Sequence, residues 1–286
     1  MSYFALAVLE IVLLGLLSGV AGTLIVLRRR SFFAVALSHA TFPGGVVFAV
    51  LGWNLLLGQA LFACVLVAIM TLLSRVPGQG RQVASGIVLA FGFALGTLLS
   101  SITAGIGVPV EALLVGSPLG VSTGDVAATG AMLIGGLVLL ALWWRRILLH
   151  TFDAVGFRAS GFREWPVELV VTIVIAGAVV VAMPAVGAIL GVAIIIGPAA
   201  AARAVAPSAG WIPPIAAVLG VVSGVLGLWA SRAFDIAAGG AVGVAVTLVF
   251  LLALAVRALR YGGTVLARRR GDGPAPGRAT TEVRAG

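Results

Sequence analysis

Few ionisable residues lie within or beside the long apolar stretches of this chain: Glu10, His39, Glu168 and Asp235, with Glu111 and Asp125 nearer to polar turns. A charge is costly in hydrocarbon and usually faces a cavity or a partner, so each is a candidate for ion passage or for a structural pairing. His39 follows Ser38 and precedes Pro43-Gly44-Gly45, a sequence that kinks a helix and can line a path with an imidazole nitrogen. Its plain alternative is a neutral imidazole bonded to a neighbouring helix. For Glu168, close to one end of its apolar stretch, the plain alternative is snorkelling to the interface. Glu10 lies deeper and stays open between the two readings.

Other chemistries lack their residues. All 18 basic residues are Arg, whereas a phosphate-binding loop needs Lys before Ser or Thr, so any ATP hydrolysis must come from a partner. Paired carboxylates, a nucleophile elbow and a HExxH helix are likewise missing from the sequence, and it reads as no enzyme. One cysteine, Cys64, and two histidines make neither a disulfide framework nor a tight zinc site, so no firmly held cofactor is expected.

The elements that must position these residues follow from composition. Of 286 residues, 61% are hydrophobic and 9% charged, against about 25% charged in a soluble domain. About 20 apolar residues cross the ~30 Å hydrocarbon core as a helix. Runs such as 168–202 and 241–256 are apolar on every face, unlike the alternating strands of a barrel. Spans are expected near 4–27, 32–52, 56–74, 84–105, 126–144, 167–184, 186–206, 213–231 and 237–256. That makes about eight or nine, because Pro184 is either a boundary or a kink, and Val108 to Ser122, with Pro109 and Pro118, reads as a surface or re-entrant hairpin. The first run, Phe4 to Leu27, is too long for a signal peptide and reads as a retained span. The expected fold is an all-α polytopic transmembrane bundle over residues 1–262, followed by a disordered basic tail over 263–286.

The net charge of +9 is placed by the membrane and does not point to nucleic acid. With the N-terminus outside, every Arg except Arg232 falls on the cytoplasmic side, the distribution expected of a multi-pass protein of the cell membrane. Six Trp residues sit close to span ends, at headgroup level. Small residues recur four apart at Gly15/Gly19, Gly92/Gly96, Gly187/Gly191, Gly220/Gly224 and Gly239/Gly243, which predicts close helix packing and nothing about cargo.

The segment GTLIVLRRRSFFAVALSHATFPGG (Gly22 to Gly45) resembles the first cytoplasmic turn and second span of the permease subunits of zinc- and manganese-type metal ABC importers. Further segments are similar to that family in the same order: VGSPLGVSTGD (Val115 to Asp125), FDAVGFRASG (Phe152 to Gly161), VGAILGVAIIIGPAAAARAVA (Val186 to Ala206) and FDIAAGG (Phe234 to Gly240). The resemblance implies a type II-like importer permease that moves a divalent transition metal, zinc, manganese or iron, as its substrate. Two copies would enclose a central path above two cytoplasmic ATP-binding subunits, and an extracytoplasmic solute-binding protein would deliver the cargo.

It also implies site residues. His39 would lie on the metal path and Asp235 at an outer gate turn, while Asp153, Arg158, Gly161 and Arg163, with Arg203 and Pro207, would form the surface coupled to the ATPase. Ordinary solvated loops are the plain alternative for those two segments. Two departures stand out: Val35 occupies the position, four residues before the His, where the family commonly has Asp, and Ala237 replaces the Pro of the outer turn. A secondary transporter or channel, or a structural membrane subunit, are the competing classes. A proton-coupled carrier would normally place more carboxylates at mid-membrane than this chain has.

Overall fold

A computed structural model of the chain describes residues 3–74, 76–77, 80–102, 116 and 120–271. Eleven α-helices carry the described residues: α1 (Tyr3–Leu17), α2 (Thr23–Leu27), α3 (Ser31–Ala40), α4 (Phe42–Val50), α5 (Leu55–Leu73), α6 (Gly80–Ile102), α7 (Thr123–Phe152), α8 (Ala154–Ala159), α9 (Glu164–Val205), α10 (Ile212–Phe234) and α11 (Ala238–Gly271). A π-helical turn at Ser18–Gly22 joins α1 to α2, so these form one passage. Thr41 joins α3 to α4 at the expected break, with Pro43 in the first turn of α4, where a missing amide hydrogen costs nothing. Eight helices among the described residues are long and apolar enough to cross a membrane, and the apolar helix Leu190–Val205 is shorter.

The break within α9 falls at Gly187, whose φ of 71° and ψ of 176° interrupt the helix three residues beyond Pro184. Only glycine adopts this backbone without strain. The change of direction is visible in the contacts: Glu168 near the start of α9 meets Arg28, while Arg203 near its end donates a hydrogen bond to the Val26 carbonyl at 3.1 Å. Both ends of α9 therefore lie beside the end of α2, and the element is an up-and-down hairpin whose tip is at Gly187. Gly187 and Gly191 are for this reason not two turns of one packing stripe. The region is divided at Gly187, where the sequence placed the boundary near Pro184; Glu164–Ala188 is long enough to span, and Leu190–Val205 after it is shorter. At the tip, the backbone of Gly116 lies directly against Gly187.

Elsewhere small residues bring backbones together. The Cα face of Gly15 meets the backbone of Gly220, and Gly19 meets the carbonyl of Pro213, so α1 and α10 run antiparallel at close range. The first half of α9 is the hub. Val171, Val174, Ile175 and Ala178 are fully buried, whereas α5, α6 and α11 expose Leu61, Leu98 and Leu251 as a lipid-facing surface would.

The helix ends are specified locally. The Asn54 side chain accepts hydrogen bonds from the amides of Leu56 and Leu57 at 2.9 and 3.3 Å, which starts α5. Ser122 and Asp125 form a reciprocal capping box at the start of α7, and this accounts for Asp125. Helix α11 continues to Gly271, past residue 262 where the sequence reading ended the membrane domain; residues 272–286 lie outside the described residues, as does Glu111.

Candidate functional site

Two regions gather the polar chemistry. The first is a cleft of about 450 Å³ between α3, the second half of α9 and α11. Val35 and His39 both line it, facing Ala188, Val192, Gly197 and Val246. They share the cleft because residues four apart lie on one helical face. Apart from His39, the lining has one polar side chain, Thr247, whose hydroxyl donates to the Gly243 carbonyl of its own helix at 2.9 Å. The imidazole is half-buried and stands edge-on to Phe93 with ring centroids 6.4 Å apart. No hydrogen bond joins it to a neighbouring helix among the described residues. His39 lies about 13 Å along the helix from Arg30, at a rise of ~1.5 Å per residue, well inside its span. No group of three or more His, Cys, Asp or Glu side chains positioned to hold a metal occurs among the described residues.

The second region is a charge cluster where α2 ends. Arg28 and Arg30 flank Arg29, which takes a left-handed backbone with φ of 55°, and both reach Glu168 on α9. Arg28 Nη2 donates to Glu168 Oε1 at 3.0 Å, Arg30 Nη2 pairs with Oε2, and Arg81 from α6 stands 3.6 Å from Oε2. Arg30 also donates to Thr172 at 3.1 Å, and Arg28 Nη2 contacts His150 Nδ1 at the end of α7. The Arg28 and Arg30 side chains are only 6% and 12% exposed, and that of Glu168 is 22%. Burial, the largest influence, pulls both guanidinium groups below their ordinary pKa, while Glu168 pulls them back up. One carboxylate thus ties three helices together. Glu168 does not snorkel; it is the hub of the cluster.

The other sequence candidates take definite places. Glu10 is buried at 1% exposure, and its Oε1 accepts from Thr129 at 2.7 Å while Oε2 has no partner among the described residues. Asp153 caps α8 by accepting from the Gly156 amide at 2.7 Å, and Arg158 pairs with Glu164 at 3.2 Å. Gly161 has φ of 77°, and Arg163 and Pro207 are exposed. Through Glu164 and His150 the α8 segment adjoins the charge cluster, and Arg203 reaches Val26 in the same zone, so both proposed coupling segments lie at one end of the bundle. Asp235 is exposed at the opposite end, in a left-handed turn with φ of 51° after α10. Nearby Arg232 stacks on Phe4 at 4.7 Å. The one Arg that the sequence set apart is thus at the other end of α1 from Arg28.

Sequence reasoning missed His150 and Gln59. Gln59 is fully buried against Gly45 with neither amide atom partnered among the described residues. For His150 a signal existed, since it ends a long span beside an Arg-rich turn; for Gln59 there was none.

Eight described helices long and apolar enough to cross a membrane, with a sparse polar cleft and a charged end, define a multi-pass membrane protein. The chain belongs to the ABC 3 transport family, whose profile matches residues 1–257. It is 29% identical over 252 residues to the manganese transport system membrane protein MntC of Halalkalibacterium halodurans, covering 88% of this chain and 86% of that one. It is 36% identical over 229 residues to the zinc transport system membrane protein TroC of Treponema pallidum, covering 77% of each. The solved PsaBC from Streptococcus pneumoniae, in complex with Fab, superposes with a TM-score of 0.79 at 26% identity over 88% of this chain and 91% of that one.

Proposed function

We propose that this chain is the permease subunit of an ATP-driven importer that carries a divalent transition metal, manganese, zinc or iron, into the cytoplasm. The observation that carries the reading is the shared cleft of Val35 and His39, at mid-membrane depth in a fold whose relatives are named for manganese and zinc transport. A conduit must release what it admits, and a path with one imidazole per chain holds a divalent transition metal weakly. Two copies with their clefts facing would present two imidazoles.

In this reading the N-terminus is outside and the Arg-rich end is cytoplasmic, following the positive-inside rule. ATP-binding subunits dock on the α8 segment, with Asp153, Arg158, Gly161 and Arg163, and on Arg203 to Pro207. A solute-binding protein delivers cargo at the opposite end, where Asp235 forms part of an outer turn. The cargo is a substrate in transit, and ATP hydrolysis belongs to the partner.

Uptake of radiolabelled manganese, zinc and iron by cells carrying the assembled complex tests this. His39→Ala should lower uptake of the preferred metal at least about tenfold, since losing even a group that supports a metal ligand costs about 10–100-fold, while assembly with the ATPase is kept. Val35→Asp should be tolerated, whereas an Asp facing lipid would cost ~2.5–3.5 kcal/mol and lower the yield. Normal uptake by His39→Ala together with failed assembly of Val35→Asp would make this face a packing surface.

A further inference from the structure

The charge cluster borders a second cavity, of about 790 Å³, between α3, α5, α6 and α9. Its charged lining is Arg28, Arg29, Arg30 and Arg81 against Glu164 and Glu168. Four positive and two negative groups leave a surplus of two positive charges. Arg28 is 94% buried by its 6% side-chain exposure, yet its Nη1 has no hydrogen-bond partner among the described residues. A buried guanidinium nitrogen with unused donors is costly, and its natural complement is an anionic oxygen. The remaining wall is mixed: Thr71, Ser74, Gln82, Ser85 and Thr172 are polar, and Phe32, Phe33, Val67, Met70, Trp165 and Leu169 form a broad apolar part. Phe32, Trp165 and Leu169 are 42%, 63% and 48% exposed.

A soluble anion would use the arginines and the hydroxyl groups and leave the apolar part of that wall wet. An amphiphile uses both. We infer that this cavity is a binding site for an anionic phospholipid, whose phosphate meets Arg28, Arg29 and Arg81 while its acyl chains cover Phe32, Met70 and Leu169. The site lies at the membrane-facing edge of the Arg-rich end, where basic pockets between spanning helices meet headgroups, and Trp165 stands at the depth an indole prefers. Glu168 already neutralises part of Arg28 and Arg30, so the lipid completes the pairing of a cluster that one carboxylate leaves positive. The bound lipid would hold α3, α6 and α9 together at the Arg-rich end, beside the segments that the proposed function assigns to the ATP-binding subunits.

The purified full-length protein in mild detergent, titrated with dioleoyl phosphatidylglycerol or dioleoyl phosphatidylcholine and read by native mass spectrometry, tests the site. Phosphatidylglycerol should bind about tenfold or more tightly than phosphatidylcholine. Arg29→Gln with Arg81→Gln, both on exposed side chains, should remove that preference. Arg158→Gln, at the same end but outside the cavity, should keep it. A third arm adds 10 mM inorganic phosphate, which should not displace the lipid. Equal binding of the two lipids, or an unchanged preference in the double variant, would overturn the inference. Full displacement by phosphate would also overturn it, since the site would then belong to a soluble anion. Should the double variant aggregate, Arg29→Lys with Arg81→Lys keeps the charge and should keep the preference; its loss in a monodisperse Lys variant would count against the inference.

Discussion

The cluster around Glu168 and the cleft around His39 are both polar islands in an apolar bundle, yet they are built in opposite ways. In the cluster, one carboxylate engages three guanidinium groups, and an imidazole and a threonine are drawn in beside them. In the cleft a single imidazole stands edge-on to a phenylalanine, and the one other polar side chain is satisfied within its own helix. Buried charges must be paired because an orphaned one costs several kcal/mol, so a dense network holds its helices in fixed register. A lone neutral group costs little and binds little. On the proposed function, the contrast separates what anchors the bundle from what would let cargo pass.

Removing Glu168 should break this contrast most. Glu168→Ala leaves Arg28 and Arg30 buried without their carboxylate and should cost about 3 kcal/mol, given the usual penalty for breaking a buried pair. Thermal unfolding of the purified protein in detergent should register it as a large fall in midpoint. A midpoint within error of wild type would mean that the cluster anchors nothing.

The next effect concerns the buried Glu10. Thr129→Val removes its one hydrogen bond among the described residues, and the cost should be about 1–2 kcal/mol by the same melt. A stabilised variant would show that Glu10 has a better partner than Thr129.

The smallest effect on stability is expected at the cleft itself. His39→Ala deletes a half-buried ring without a hydrogen bond and should shift stability by about 0.5 kcal/mol or less, while uptake falls. Should the same variant unfold as readily as Glu168→Ala, the cleft would be a second anchor, and the division between holding and passing would collapse. Arg158→Gln gives a reference of similar size, because its pair with Glu164 is exposed and worth at most about 1 kcal/mol.

Much of the architecture was legible along the chain. Apolar runs near 20 residues read directly as spans, since lipid forces the backbone to satisfy itself within each helix. The kink before Pro43, the small-residue stripes Gly15/Gly19 and Gly220/Gly224 that pack closely, and the separation of Arg232 from the other arginines followed from local rules. The Val35/His39 face followed too, because helical periodicity alone puts residues four apart together.

The pairings across the bundle were not legible. Glu168 is 138 residues from Arg30, and no periodicity connects two helices that distant in sequence, so it read as a residue near a membrane edge. Pro184 drew the boundary toward itself, although the turn belongs to Gly187, whose positive φ is visible only in three dimensions. Composition and periodicity by themselves determined the helices, their number to within one and the distribution of charge, because those depend on transfer of each segment from water to lipid. Which helix meets which, and hence where a carboxylate finds its arginines and where an imidazole is left alone, was decided by tertiary packing, because such contacts depend on close fit between surfaces that the chain brings together only when folded.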